Sequence, residues 1–204
     1  MLIDDGGIIR QERASAIGEL VRIVILQNFD KLNDFKFLYK KFGANQLNKL
    51  TREQIEAECP NYFGRWIVAQ TFTAMSLEAF YYDYIQNKKS KNQVNKRRTP
   101  PERFKFIYYE LLKVSSEKID KLLNKITQLD KTRTHWAHNK SADFINYKKA
   151  ADFFSPDECL GILTEVFEFV FEYDRDYVLA REINLKLKQV QLNVANEINA
   201  LALK

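Results

Sequence analysis

Chain breakers are scarce. Only 6 glycines and 4 prolines stand in 204 residues. So few tight turns can be built, and such a chain is pushed toward long helices rather than many short strands. Hydrophobic residues make up 46%, with 15 Phe and 10 Tyr, enough to bury a core. The pattern therefore predicts an all-α fold: an antiparallel helical bundle with a long C-terminal helix, in one domain. Within it, 1–60 reads as an N-terminal helical extension, 61–175 as the bundle core and 176–204 as a helical C-terminal extension.

Apolar residues at Ile17, Leu20, Val24 and Leu26 predict a helix over 9–29, and Asp34 to Phe42 a short second one ended by Gly43. Thr51-Arg52-Glu53-Gln54 is a capping-box pattern for a short helix that Pro60 ends. The clearest helix spans 61–87, with Phe63, Ile67, Gln70, Ala74, Leu77, Tyr81 and Tyr84 at three- and four-residue steps. Thr99-Pro100-Pro101-Glu102 opens another. Its stripe is Phe104, Tyr108, Leu111, Ser115, Ile119, Leu122, Ile126 and Leu129, and Asp130 reads as the N-cap of a shorter helix after it. Ser155-Pro156-Asp157-Glu158 starts the last pattern, marked from Leu160 to Leu201. Unbroken, that helix would be roughly 65 Å long, against a radius of gyration of ~17 Å for a domain of this size. Either it kinks near Asp174-Arg175-Asp176 or its tail overhangs and needs a partner surface.

The formal charge is +5 and the pI about 9.0, compatible with a nucleic-acid partner without requiring one. Six basic residues crowd residues 88–98 with no acid: Lys88, Lys89, Lys91, Lys96, Arg97 and Arg98. They read either as a flexible arm that neutralises RNA phosphates or as a solvated loop. No aromatic interleaves there, so base-specific reading is not expected. Cys59 and Cys159 are isolated, which fits a reducing cytosol. Met1-Leu2-Ile3-Asp4-Asp5 lacks the basic and apolar regions of a signal peptide. No apolar run reaches the ~20 residues of a membrane span. A cytoplasmic protein without a membrane partner is the expectation.

Arg133-Thr134-His135-Trp136-Ala137-His138 holds both histidines of the chain. A histidine moves protons near neutral pH, and a guanidinium matches phosphate. Together they suggest chemistry on a phosphodiester. Five residues of helix place Arg133 and His138 about 140° apart. The two meet on one phosphate most simply in a groove shared with a second copy of the helix, across a two-fold axis. His135 and His138 do share a face, but no Cys lies near and no Glu precedes either by three residues. No metal and no cofactor are expected. His135 reads as a surface or interfacial imidazole, and Trp136 as a core aromatic.

This hexapeptide, late in an all-helical chain, resembles the Arg-x4-His motif of the HEPN superfamily, helical-bundle proteins that include many metal-independent ribonucleases of defence and toxin systems. The run Phe72 to Phe80, with Glu78, resembles the family's earlier core helix. The resemblance covers roughly residues 60–175. It implies that Arg133 and His138 are the catalytic pair and that Glu78 holds one of them in place. Thr134 departs from the usual Asn, and His135 would substitute for the missing amide. It implies RNA as the substrate, a homodimer, and an antitoxin or other regulatory protein as partner. The other expectation is a non-catalytic module that keeps the fold and binds RNA, a nucleotide or a protein.

Overall fold

The structure, a computed structural model, describes residues 5–138 and 154–202, with side chains from 14 to 134 and from 154 to 201. Among these residues there is no strand, and the helices pack on one another as an all-α bundle. None of them is long and apolar enough to cross a membrane.

Helix α1 spans Asp5–Phe42. It replaces the two helices expected there, because Asp30-Lys31-Leu32-Asn33 contains neither Gly nor Pro and Leu32 carries the buried face onward. That face is Ile17, Val21, Val24, Ile25, Asn28 and Leu32; Leu26, expected inside, is 43% exposed. Gly43 stops the helix with a left-handed φ of 73°, which glycine adopts freely. Two short helices follow, α2 (Ala44–Leu47) and α3 (Arg52–Glu58). The capping box on α3 forms in both directions: Gln54 N–H donates to Thr51 Oγ1 and Thr51 N–H donates to Gln54 Oε1.

Helix α4 (Tyr62–Lys88) is the central element. Arg65 at its start pairs with Asp34 near the end of α1, so the two run antiparallel. After α5 (Lys91–Asn95) come α6 (Pro100–Lys105), capped by Thr99 and Glu102, and a π-helix over Phe106–Leu111. The expected continuous helix from 99 to 129 therefore does not form. The chain widens into the π turn, bends at Lys113, which has φ 57°, and restarts as α7 (Glu117–His138). Ser115, expected in the core, is exposed, and Val114 is buried instead. Asp130 is not an N-cap: α7 runs through it without a break.

The last pattern divides where the double-Asp sequence suggested, into α8 (Pro156–Tyr173) and α9 (Val178–Ala202). Asp174 ends α8 and accepts from Tyr84 Oη at 2.7 Å and from Lys88 Nζ at 2.6 Å. Lys188 of α9 then meets Glu168 of α8 at 2.5 Å, so the two form an antiparallel hairpin rather than an overhang. The core between α4, α6, the π-helix and α8 is aromatic. Phe80 lies 4.7 Å from Phe167 and Phe104 4.2 Å from Tyr108, whose hydroxyl donates to the Val166 carbonyl. Each such ring contributes roughly 1.5–3 kcal/mol on burial.

Candidate functional site

Three helices bring charge to one edge of the bundle. On α4, the buried positions Leu77, Phe80, Tyr81 and Tyr84 define the inner face, which leaves Glu78 and Tyr82 at its border, one turn apart. Near its C-terminal end, α7 presents Arg133. On α6, the first turn after the Thr99 cap presents Arg103.

Arg133 Nη1 donates a charge-assisted hydrogen bond to Glu78 Oε2. Arg103 Nη1 stands 3.8 Å from Glu78 Oε1, and its Nε donates to the Arg97 carbonyl at 3.1 Å. Its guanidinium also lies 5.7 Å from the Tyr82 ring centroid. Arg133 and Glu78 keep about a third of their side-chain surface in solvent (32% and 34%), whereas Arg103 keeps 12%. An ion pair that open to water contributes about 0.2–1 kcal/mol. Its importance lies in geometry rather than stability. Asp130, one turn before Arg133, is pushed above the usual carboxylate range, first by burial and then by the charge of Glu78; Arg133 pulls the other way. Two guanidiniums thus share one carboxylate at the solvent border.

Chemically, this arrangement can release Arg133 to an incoming anion while Arg103 keeps Glu78 neutralised. The backbone of α7 is helical throughout from Arg133 to His138, so the angular offset of about 140° applies. Thr134 is exposed. The side chains of His135, Trp136 and His138 lie outside the described residues. Among the described residues no group of three or more His, Cys, Asp and Glu side chains could hold a metal ion. Burial pushes the Cys159 thiol up to about 12 and raises that of Cys59, so neither is a poised nucleophile.

The basic run 88–98 is not a flexible arm. Within it, Lys91–Asn95 form α5, whose Val94 is fully buried. Lys88 is tied to Asp174. Arg97 lies 3.2 Å from the centroid of the Phe106 ring and donates to the Gln93 carbonyl at 2.7 Å. The Arg98 side chain is exposed, while its N–H donates to Glu102. Lys89, Lys91 and Lys96 are exposed.

The structure joins Glu78 to Arg133 and adds Arg103, which sequence reasoning missed. Nothing local marks Arg103: it is one more basic residue in a short helix, and only the crossing of α6 over α4 brings it to Glu78. Comparison of the chain with protein-family models, with curated proteins and with solved structures found no match.

Proposed function

We propose that this chain is a HEPN-like, metal-independent endoribonuclease in which Arg133 and His138 act together on one phosphodiester. The observation that carries the proposal is the Arg133–Glu78 pair. It ties the helix bearing the Arg-x4-His motif to the earlier core helix through the residue expected for that role.

His138 takes the proton of a ribose 2′-hydroxyl, and an imidazole near pKa ~6.5 suits that step. The 2′-oxygen attacks the adjacent phosphorus, and the bond from phosphorus to the 5′-oxygen breaks. Arg133 turns from Glu78 to the non-bridging oxygens, where negative charge builds. The leaving oxygen takes a proton from His138 of a second copy, in a site shared across a two-fold axis. The products are a 2′,3′-cyclic phosphate and a 5′-hydroxyl. DNA, without the 2′-hydroxyl, is inert. Such an activity suits a toxin or defence effector restrained by an antitoxin or other regulatory protein.

Total RNA incubated with the protein in EDTA tests this directly. The wild type degrades it, and the Arg133→Ala/His138→Ala variant does not. Intact RNA with both proteins would leave the second reading, a non-catalytic module that binds RNA, nucleotide or protein. That reading draws on the same ion pair, since an Arg133 permanently held by Glu78 is a structural strut, and on Thr134 where the family usually has Asn.

A further inference from the structure

A second cationic feature lies along α4 from the Arg133 cluster, on the side where Arg103 reaches the Arg97 carbonyl. The end of α4, α5 and the π-helix enclose a groove of about 370 Å³ lined by Lys89, Gln93, Arg97, Phe106, Glu110 and Lys113. Lys89, the residue that caps the end of α4, follows Glu78 by eleven residues, which places the groove about 16 Å from the Glu78 position along the α4 axis.

Its construction is specific. Arg97 is fixed on one side by the Phe106 ring and held by Gln93, through both the backbone carbonyl and, at 3.0 Å, the side-chain oxygen. A guanidinium fixed in this way loses little freedom on meeting an anion. Lys89 and Lys113 have no ion-pair partner among the described residues. Lys113 occupies the left-handed region, at φ 57°, which a lysine rarely adopts. That conformation follows the π-helix, an element that often marks functional sites. The single carboxylate, Glu110, sits 3.7 Å from Arg97 and is 62% exposed. Three cations against one acid leave the groove with excess positive charge.

We infer that this groove is a phosphate subsite that holds the backbone of single-stranded RNA at a distance from the scissile linkage. This assignment rests on the RNA substrate proposed above. A phosphodiester carries one negative charge, whereas a terminal phosphate carries about −1.5 to −2. Glu110 in the lining favours the former. The contacts available are to phosphate, so binding is independent of base sequence. The Arg103 bridge ties the groove wall at Arg97 to the carboxylate that holds Arg133.

The test is fluorescence anisotropy with a labelled 2′-O-methyl RNA strand of about 12 nucleotides, which cannot be cut by 2′-hydroxyl attack. The variant is Lys89→Gln/Lys113→Asn, with Asn chosen because it tolerates the left-handed conformation. Loss of two phosphate contacts makes the slope of log affinity against log salt shallower by about 1.4, at roughly 0.7 per contact for a single strand. Glu110→Gln binds more tightly than wild type. Affinity and slope unchanged in both variants, with native circular dichroism, overturn the inference. So does a labelled AMP whose binding needs the two lysines while strand binding does not. With cleavable RNA, the lysine variant raises KM and leaves kcat in place. A protein that binds through the lysines but cuts nothing keeps the groove and loses the nuclease. A variant that cuts with wild-type KM keeps the nuclease and loses the groove.

Discussion

Helix α4 has two working faces. Inward, Leu77, Phe80, Tyr81 and Tyr84 are all at most 1% exposed, and ring packing locks Phe80 against Phe167 of α8 and Tyr81 against Phe104 of α6. At its border, Glu78 and Tyr82 meet Arg133 and Arg103 in reach of water. The inner face is held by shape, which a substitution cannot change without leaving a cavity. The border is held by charge in a screening medium, where partners exchange at small cost. Stability therefore resides in one face and adaptable chemistry in the other, on the same few turns.

Substitutions can break or sharpen that division. Phe80→Ala removes the ring packed on Phe167 and costs about 3–5 kcal/mol in urea denaturation. A loss below about 1 kcal/mol would mean the inner face is not the stabilising one. Gln70, also buried on α4, has neither amide atom hydrogen-bonded among the described residues. Gln70→Met keeps its shape and removes two desolvated groups, so it stabilises the fold by about 1–3 kcal/mol. A destabilised variant would show that this amide has a partner. Glu78→Gln changes stability by less than about 1 kcal/mol but slows RNA cleavage about tenfold, equivalent to roughly 1.4 kcal/mol, because Arg133 loses its anchor. Equal cleavage by the two proteins would reduce Glu78 to a surface charge.

The smallest effect is electrostatic. The Asp130 carboxyl is raised in the folded chain, so its contribution favours folding below the ordinary value of 3.8 and is lost as pH rises through the folded value. Asp130→Asn therefore raises the midpoint of thermal unfolding at about pH 7, by an amount worth roughly 0.5 kcal/mol or less. Near pH ~3, where the acid is protonated in both states, the gain disappears. A gain that persists in acid would point to propensity rather than charge.

Helix starts were legible because their chemistry is local. At Thr51, Thr99 and Ser155 a hydroxyl and an acid or amide three residues on form the reciprocal bonds their spacing implies. Breaks without Gly or Pro were not. The apolar stripe from Phe104 to Leu129 continues across the π-helix and the bend at Lys113, since a change of helical pitch alters which residues face inward without altering their type. Conversely, α1 runs through a polar stretch that looks like a boundary because Leu32 and Leu38 remain buried. At the candidate site, the Glu78–Arg133 partnership was implied by resemblance alone. Residues 55 apart in sequence leave no periodic trace of meeting. Arg103 gave no trace at all, and the basic run gave its charge but not its helix, because the buried Val94 is a single apolar residue among polar ones.

In the proposed reaction, Arg133 and His138 turn a ribose hydroxyl against its own phosphodiester. A DNA strand carrying one ribonucleotide, incubated with the protein in EDTA and resolved by mass spectrometry, tests it most directly. The expected result is a single cut immediately 3′ of the ribose, with a 2′,3′-cyclic phosphate on one fragment, a 5′-hydroxyl on the other, and no cut by Arg133→Ala or His138→Ala. A strand left whole, a cut at a deoxyribose, or the same cut by either variant would contradict it.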